Sequence, residues 1–261
     1  MTHRSTSATK AAWAAGPTPQ AVWTALGTVR DPELDQPITD LEFVLDVEVR
    51  DDEVDVALRL PTYFCAPNFA FLMVADARTA IEALPGVARA NVRLVDHYAS
   101  SEINEGMSAD LGFGASFDGQ AVGDDLEELR DTFTRKGFLA RTHELCKELL
   151  TAGLTPEDLA GMTVGELPPS PLAERFIARR RELGMPSDPH SPLLIDVWGV
   201  PVAPEQVGDH LRRARTVHVS IEGNAGMCRG LLATRYADGG TGDERARSAY
   251  DPLATTTTTA T

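Results

Sequence analysis

The sequence predicts an α+β protein: a small helix–hairpin–helix–strand domain followed by a mixed, mainly helical α/β region. Three observations lead there. Apolar and polar residues alternate over 43–50, 54–60 and 87–95, the two-residue period of a strand. Apolar residues recur at helical spacing over 69–84 and again beyond residue 124. A chain of 261 residues that is 43% hydrophobic can bury one large core or two modest ones.

Residues 1–17 are small and polar and read as a disordered N-terminus. Thr18-Pro19 is an N-cap followed by proline at the first helical position, opening a helix through Gly27. Asp31-Pro32-Glu33-Leu34-Asp35 is a turn. The two alternating runs flank Asp51-Asp52, the pattern of a β-hairpin. The helix over 69–84 stops at Pro85-Gly86, and 87–95 supplies a third strand. This first domain spans 18–98. The stretch 99–123, with its glycines and serines, reads as a linker or surface loop.

The C-terminal region, 124–236, is predicted to hold helices at 124–135 and 138–151, then one from the capping-box-like Thr155-Pro156-Glu157-Asp158 and one from Ser170-Pro171 to Leu183. Strands are expected at 193–202 and 216–221, on either side of a helix near 204–213. The tail, 237–261, ends in a threonine run and reads as disordered.

A formal net charge of −15, from 24 basic and 39 acidic residues, argues against nucleic acid and against an anionic membrane surface. Three cysteines, odd in number and far apart, are not a secreted disulfide framework. No signal-peptide pattern or membrane-spanning run is visible, so a cytoplasmic protein is expected. Nucleotide-binding loops, a nucleophile elbow and a His-Glu-x-x-His zinc motif are all missing, which leads to the expectation that the chain is not an enzyme.

The chemistry is expected at sulfur. Cys65 lies in Leu60-Pro61-Thr62-Tyr63-Phe64-Cys65-Ala66-Pro67, between a strand and a helix. A thiol just before a helix meets unpaired N–H groups and the positive end of the helix dipole, which favour thiolate. His143 and Cys146 stand three residues apart on one helical face and form a candidate two-ligand metal claw; the alternative is that Cys146 is core. Cys228 follows a predicted strand in a glycine-rich stretch where Arg229 would depress its pKa. The alternative to metal handling is a thiol enzyme with Cys65 as nucleophile and His97, His143 or His218 as base, or an adaptor for client folding without chemistry of its own.

The ordered set Asp31-Pro32-Glu33, Ile38-Thr39-Asp40-Leu41, Leu60-Pro61-Thr62 leading to Cys65, and Leu84-Pro85-Gly86-Val87 resembles the metal–sulfur cluster biosynthesis domain of iron–sulfur assembly factors and PaaD-like proteins. The resemblance covers about 18–97, and the C-terminal extension lies outside it. It implies Cys65 as the functional residue with Asp31 near it, and Glu33, Asp40 and Thr62 in support. Cys228, Cys146 and His143 are further candidate ligands. The resemblance implies a transient iron or iron–sulfur cargo and an accessory maturation factor serving a client metalloenzyme or its chaperonin. Proteins of this type accompany monooxygenase operons in high-GC bacteria, and 21 arginines against 3 lysines suit such a genome. A multicomponent di-iron monooxygenase is then the expected client, and a homodimer pairing two Cys65 sites would meet a shortage of ligands. Glu42 replaces the glycine usual after Asp-Leu, and Pro67 stands one residue later than the usual proline.

Overall fold

Thr18 starts the first helix as its sequence predicts: its side chain accepts from the Ala21 N–H, and Pro19 occupies the first turn of α1 (Pro19–Leu26). The structure, a computed structural model, describes residues 16–117 and 126–237. The predicted disordered termini fall almost wholly outside the described residues, as does 118–123 of the predicted linker.

The hairpin forms as expected, with β1 (Val44–Arg50) antiparallel to β2 (Glu53–Arg59) and Asp51 at φ +53° in the two-residue turn. Next comes α2 (Pro67–Glu82), and β3 (Arg89–Val95) then pairs parallel to β2. A strand that returns parallel needs a crossover, and α2 is that crossover. The sheet order is β1-β2-β3. Val54, Val56 and Leu58 of β2 and Ala90, Val92 and Leu94 of β3 face α1 and α2 in a first core.

The region expected to be a linker is helical where it is described: α3 (Ser100–Ser108) and α4 (Phe113–Ser116). Ile103 is fully buried against the first core, and Asn104 pairs with both the N–H and the C=O of Leu94. That apolar anchor outweighs the local glycine and serine content.

Helices predicted at 124–135 and 138–151 are one helix, α5 (Leu126–Thr151). Gly137 is the residue that suggests a break, and its role is different. A Cβ there would stand 2.7 Å from Asp35 Oδ2 and 2.8 Å from its Cγ, so glycine lets the helix backbone close on that carboxylate. Asp35 is held by Arg30, by Arg141 of α5 at 2.9 Å, and by Arg179 of α7 (Pro171–Glu182). Arg130 of α5 adds a bidentate pair to Asp76 of α2, at 2.7 and 2.8 Å.

Between α5 and α7 lies the short helix α6 (Pro156–Gly161), started by the capping box that Thr155 and Asp158 predict. The strand expected at 193–202 is absent. Leu193, Leu194 and Ile195 instead fill a second core with Phe138, Leu145 and Phe176, and only single bridges form at Thr163–Pro192 and Ile195–Pro201. The strand at 216–221 is also absent: those residues sit inside the long helix α8 (Val207–Arg235). Val217, Val219 and Ile221 alternate like a strand, but a longer pattern wins. Val207, Leu211, Ala214, His218, Ile221, Ala225, Cys228, Leu232 and Arg235 recur at steps of four and three, and this row is buried or half-buried. Alpha8 lies along α5 and carries Ala225, Leu232 and Tyr236 into the first core.

Two changes test these backbone readings. In an open helix interior, Gly→Ala stabilises by about 1 kcal/mol. Gly137→Ala is instead expected to destabilise by about 1–2 kcal/mol, because the Cβ strikes a carboxylate that three arginines hold in place. Glu42 stands at φ +60°, which favours glycine; Glu42→Gly is expected to stabilise by about 1 kcal/mol. Urea unfolding of the two variants beside the wild type measures both, and a gain for Gly137→Ala would dismiss the close approach.

Candidate functional site

Beta2 and β3 run parallel, so the loops leaving their carboxyl ends meet at one edge of the sheet, the edge where open sheets bind ligands. From β2 come Leu60 to Ala66; from β3 come Asp96, His97 and Tyr98. The two loops are stitched by Tyr98 N–H donating to the Tyr63 carbonyl at 3.1 Å. Cys65 sits at this edge, two residues before α2, half-buried. Its Sγ is 3.3 Å from Thr62 Oγ1, a hydroxyl that can donate to sulfur. Phe64 beside it and Tyr98 are exposed at 54% and 45%, with ring centroids 5.8 Å apart, so the thiol opens onto an aromatic surface.

His97 is buried, and it serves the backbone of the cysteine loop and not its sulfur. The Ala99 N–H donates to Nδ1 at 3.2 Å, so Nε2 carries the proton and donates to the Cys65 carbonyl at 2.8 Å. Burial lowers the His97 pKa, which keeps this neutral tautomer in place.

The third wall is the Asp31–Asp35 turn. Asp31 Oδ1 accepts from the N–H groups of Glu33 and Leu34, each at 2.8 Å. Burial nevertheless pushes the Asp31 carboxyl up to about 6, the two backbone bonds opposing it and Glu33 adding to it. The fourth wall is α8. Asn224 donates to Glu33 Oε1 at 3.3 Å, and Arg235 donates to the Leu60 carbonyl at 3.1 Å and to the Asp96 carbonyl at 2.5 Å. Cys228 lies between these anchors, half-buried. Its thiol is pushed up to about 11, first by burial and then by Asp31, Cys65 and Glu33. Arg229, expected from sequence to lower it, has the smaller opposing effect: it is exposed and donates to Gln36 at 2.9 Å.

Comparison with known proteins decides the family. A family model described as iron-sulfur cluster assembly protein matches residues 19–93. An uncharacterized protein of Methanocaldococcus jannaschii is 38% identical over 90 residues, which are 34% of this chain and 92% of that relative. The chain belongs to the iron–sulfur cluster assembly family. Asp31, Glu33, Thr62 and Cys65 fall inside the matched residues; His97, Asn224, Cys228 and Arg235 fall outside them.

The other candidates are placed elsewhere. Cys146 is buried in the second core, where desolvation pushes its thiol up to about 12. His143 turns toward His218, with ring centroids 4.9 Å apart, and His218 Nδ1 stands 3.8 Å from Glu144 Oε1. Burial, followed by His218, lowers the His143 pKa. Asp40 is exposed and accepts from Thr39 at 3.3 Å. So Thr62 lies at the Cys65 sulfur and Cys228 lies within electrostatic reach of Cys65, Asp31 and Glu33, while Cys146, His143 and Asp40 are placed elsewhere. Among the described residues, no group of three or more His, Cys, Asp and Glu side chains is placed to hold a metal ion, and no helix is long and apolar enough to cross a membrane. Sequence reasoning missed Arg235 and Asn224; the four-and-three spacing along α8 is the signal that finds that face.

The Asp31 carboxyl gives a pH test. Its folded value of about 6 lies above the ordinary 3.8, so the native state holds more protons than the unfolded chain between those values. Stability from this group therefore falls as pH rises through about 4 to 6 and is level above. Asp31→Asn keeps the acceptor for the turn and removes the titration. Urea unfolding across pH 4 to 7 should show wild-type stability declining relative to Asp31→Asn; parallel curves would contradict the buried carboxyl.

Proposed function

We propose that the protein receives iron or an iron–sulfur cluster at Cys65 and passes it to a client metalloenzyme, as an accessory maturation factor. Family membership gives the coarser statement, a role in iron–sulfur cluster assembly. The observation that carries the finer one is the setting of Cys65. Its thiol stands at the open edge of the sheet with Thr62 as its hydrogen-bond partner and exposed aromatic rings alongside.

Thiolate sulfur suits iron. A cluster needs about four protein ligands, so one cysteine holds cargo only in part and releases it readily. The aromatic surface from Tyr63, Phe64 and Tyr98 suits a protein partner that completes the coordination. A di-iron monooxygenase or its chaperonin is the partner proposed, and a second copy of the chain would supply ligands in the same manner. Transfer is favoured over thiol catalysis because the histidine nearest in the fold is committed to the Cys65 carbonyl, where it cannot take the thiol proton.

Anaerobic reconstitution with ferrous iron and sulfide, wild type beside Cys65→Ala, tests this. Iron and sulfide bound by the wild type and lost in a folded Cys65→Ala are expected. Equal iron in the two proteins would overturn the reading.

A further inference from the structure

We propose that Cys228 of α8 is a second ligating thiol, so that Cys65 and Cys228 grip the iron cargo as a pair and leave the remaining positions to the receiving protein. This rests on the reading of Cys65 as the cargo site. It adds a ligand that lies outside the residues matched by the family model.

The helix register places Cys228 there. Ile221, Ala225 and Leu232 of the inward row are buried and apolar, whereas Cys228 is half-buried, at the rim where the core gives way to the cysteine loop and the Asp31 turn. The helix is pinned on both sides of it. One turn earlier Asn224 holds Glu33, and two turns later Arg235 holds the carbonyls of Leu60 and Asp96, the two loops that carry Cys65 and His97. Two hydrogen-bonded anchors, on opposite sides of one thiol, fix it against the site.

The surroundings leave the thiol room to act as a ligand at the core's rim. Cys228 packs at the edge of the first core, as Cys65 does, and lies within electrostatic reach of Cys65, Asp31 and Glu33. Binding of a divalent ion replaces S–H by S–metal, and the proton leaves to water. The carboxylates of the Asp31–Asp35 turn add negative charge on this side of α8, which favours approach of a divalent ion.

Anaerobic cobalt(II) titration tests the pair, because thiolate-to-cobalt charge-transfer absorption grows with the number of thiolates bound. Wild type, Cys65→Ser, Cys228→Ser and Cys146→Ser are compared, with thermal unfolding to confirm the fold. Cys228→Ser should halve the band and weaken binding by about tenfold or more, while Cys146→Ser matches wild type. Cadmium(II) protection against alkylation, read by mass spectrometry on the unmodified chain, needs no variant and should shield Cys65 and Cys228 together. A full band in Cys228→Ser with only Cys65 shielded overturns the pair and leaves the Cys65 reading standing. No band in the wild type, or a full band in Cys65→Ser, overturns both.

Discussion

The charge balance at Asp35 is the constraint on which the rest of the arrangement depends. Its carboxylate is mostly buried, and Arg30, Arg141 and Arg179 converge on it from the turn, α5 and α7. Arg179 itself is only 5% exposed, and burial draws its pKa and that of Arg30 downward, with Asp35 acting against the shift. Charges of this kind are stable only in company: removing one partner strands the others without solvent. The node therefore fixes α5 against the turn that begins at Asp31, and α8 lies along α5. The position of Cys228 beside Asp31 is thus set by a contact on the far side of the same turn.

The site is ordered by contacts within the fold. His97, Thr62 and the Tyr98 N–H fix the cysteine loop through hydrogen bonds that involve no cargo. Asp31 spends one oxygen on two backbone N–H groups and so holds the turn whether or not a cation is present. The fold itself meets the ordering cost of the cysteine loop and of the Asp31 turn.

The first domain was legible because its local signals agree with its packing. Thr18-Pro19 caps, Asp51-Asp52 turns, and alternation at 54–60 and 90–94 puts the same residues in the core that the period predicts. The C-terminal region misled where local and tertiary preferences part. Val217, Val219 and Ile221 alternate like a strand, and Gly223, Gly226 and Gly230 look like a turn, yet a Cβ at any of these glycines would meet nothing. Each weakens the helix by about 1 kcal/mol relative to alanine, and the buried row along α8 outweighs them. Candidate residues close in sequence could be named, but that residues 31, 65 and 228 share one edge is a fact of packing, which spacing does not encode.

If Cys65 and Cys228 hold a metal as proposed, the extension changes what the family domain can do with that cargo. A single thiolate on a loop releases metal as easily as it accepts it, so direction must come from elsewhere. An α-helix laid across the loops, anchored at Glu33, Leu60 and Asp96, would make release of the proposed cargo depend on whether that helix stays seated. Its outer face carries Met227 and Leu231 exposed at 65% and 42%, a surface on which a partner protein can act. A partner that binds α8 more tightly when it is lifted would weaken the second ligand in proportion to that difference in affinity, and would do so while in place to receive the metal. Coupling release to docking in this way would keep the proposed iron cargo bound until a recipient is present.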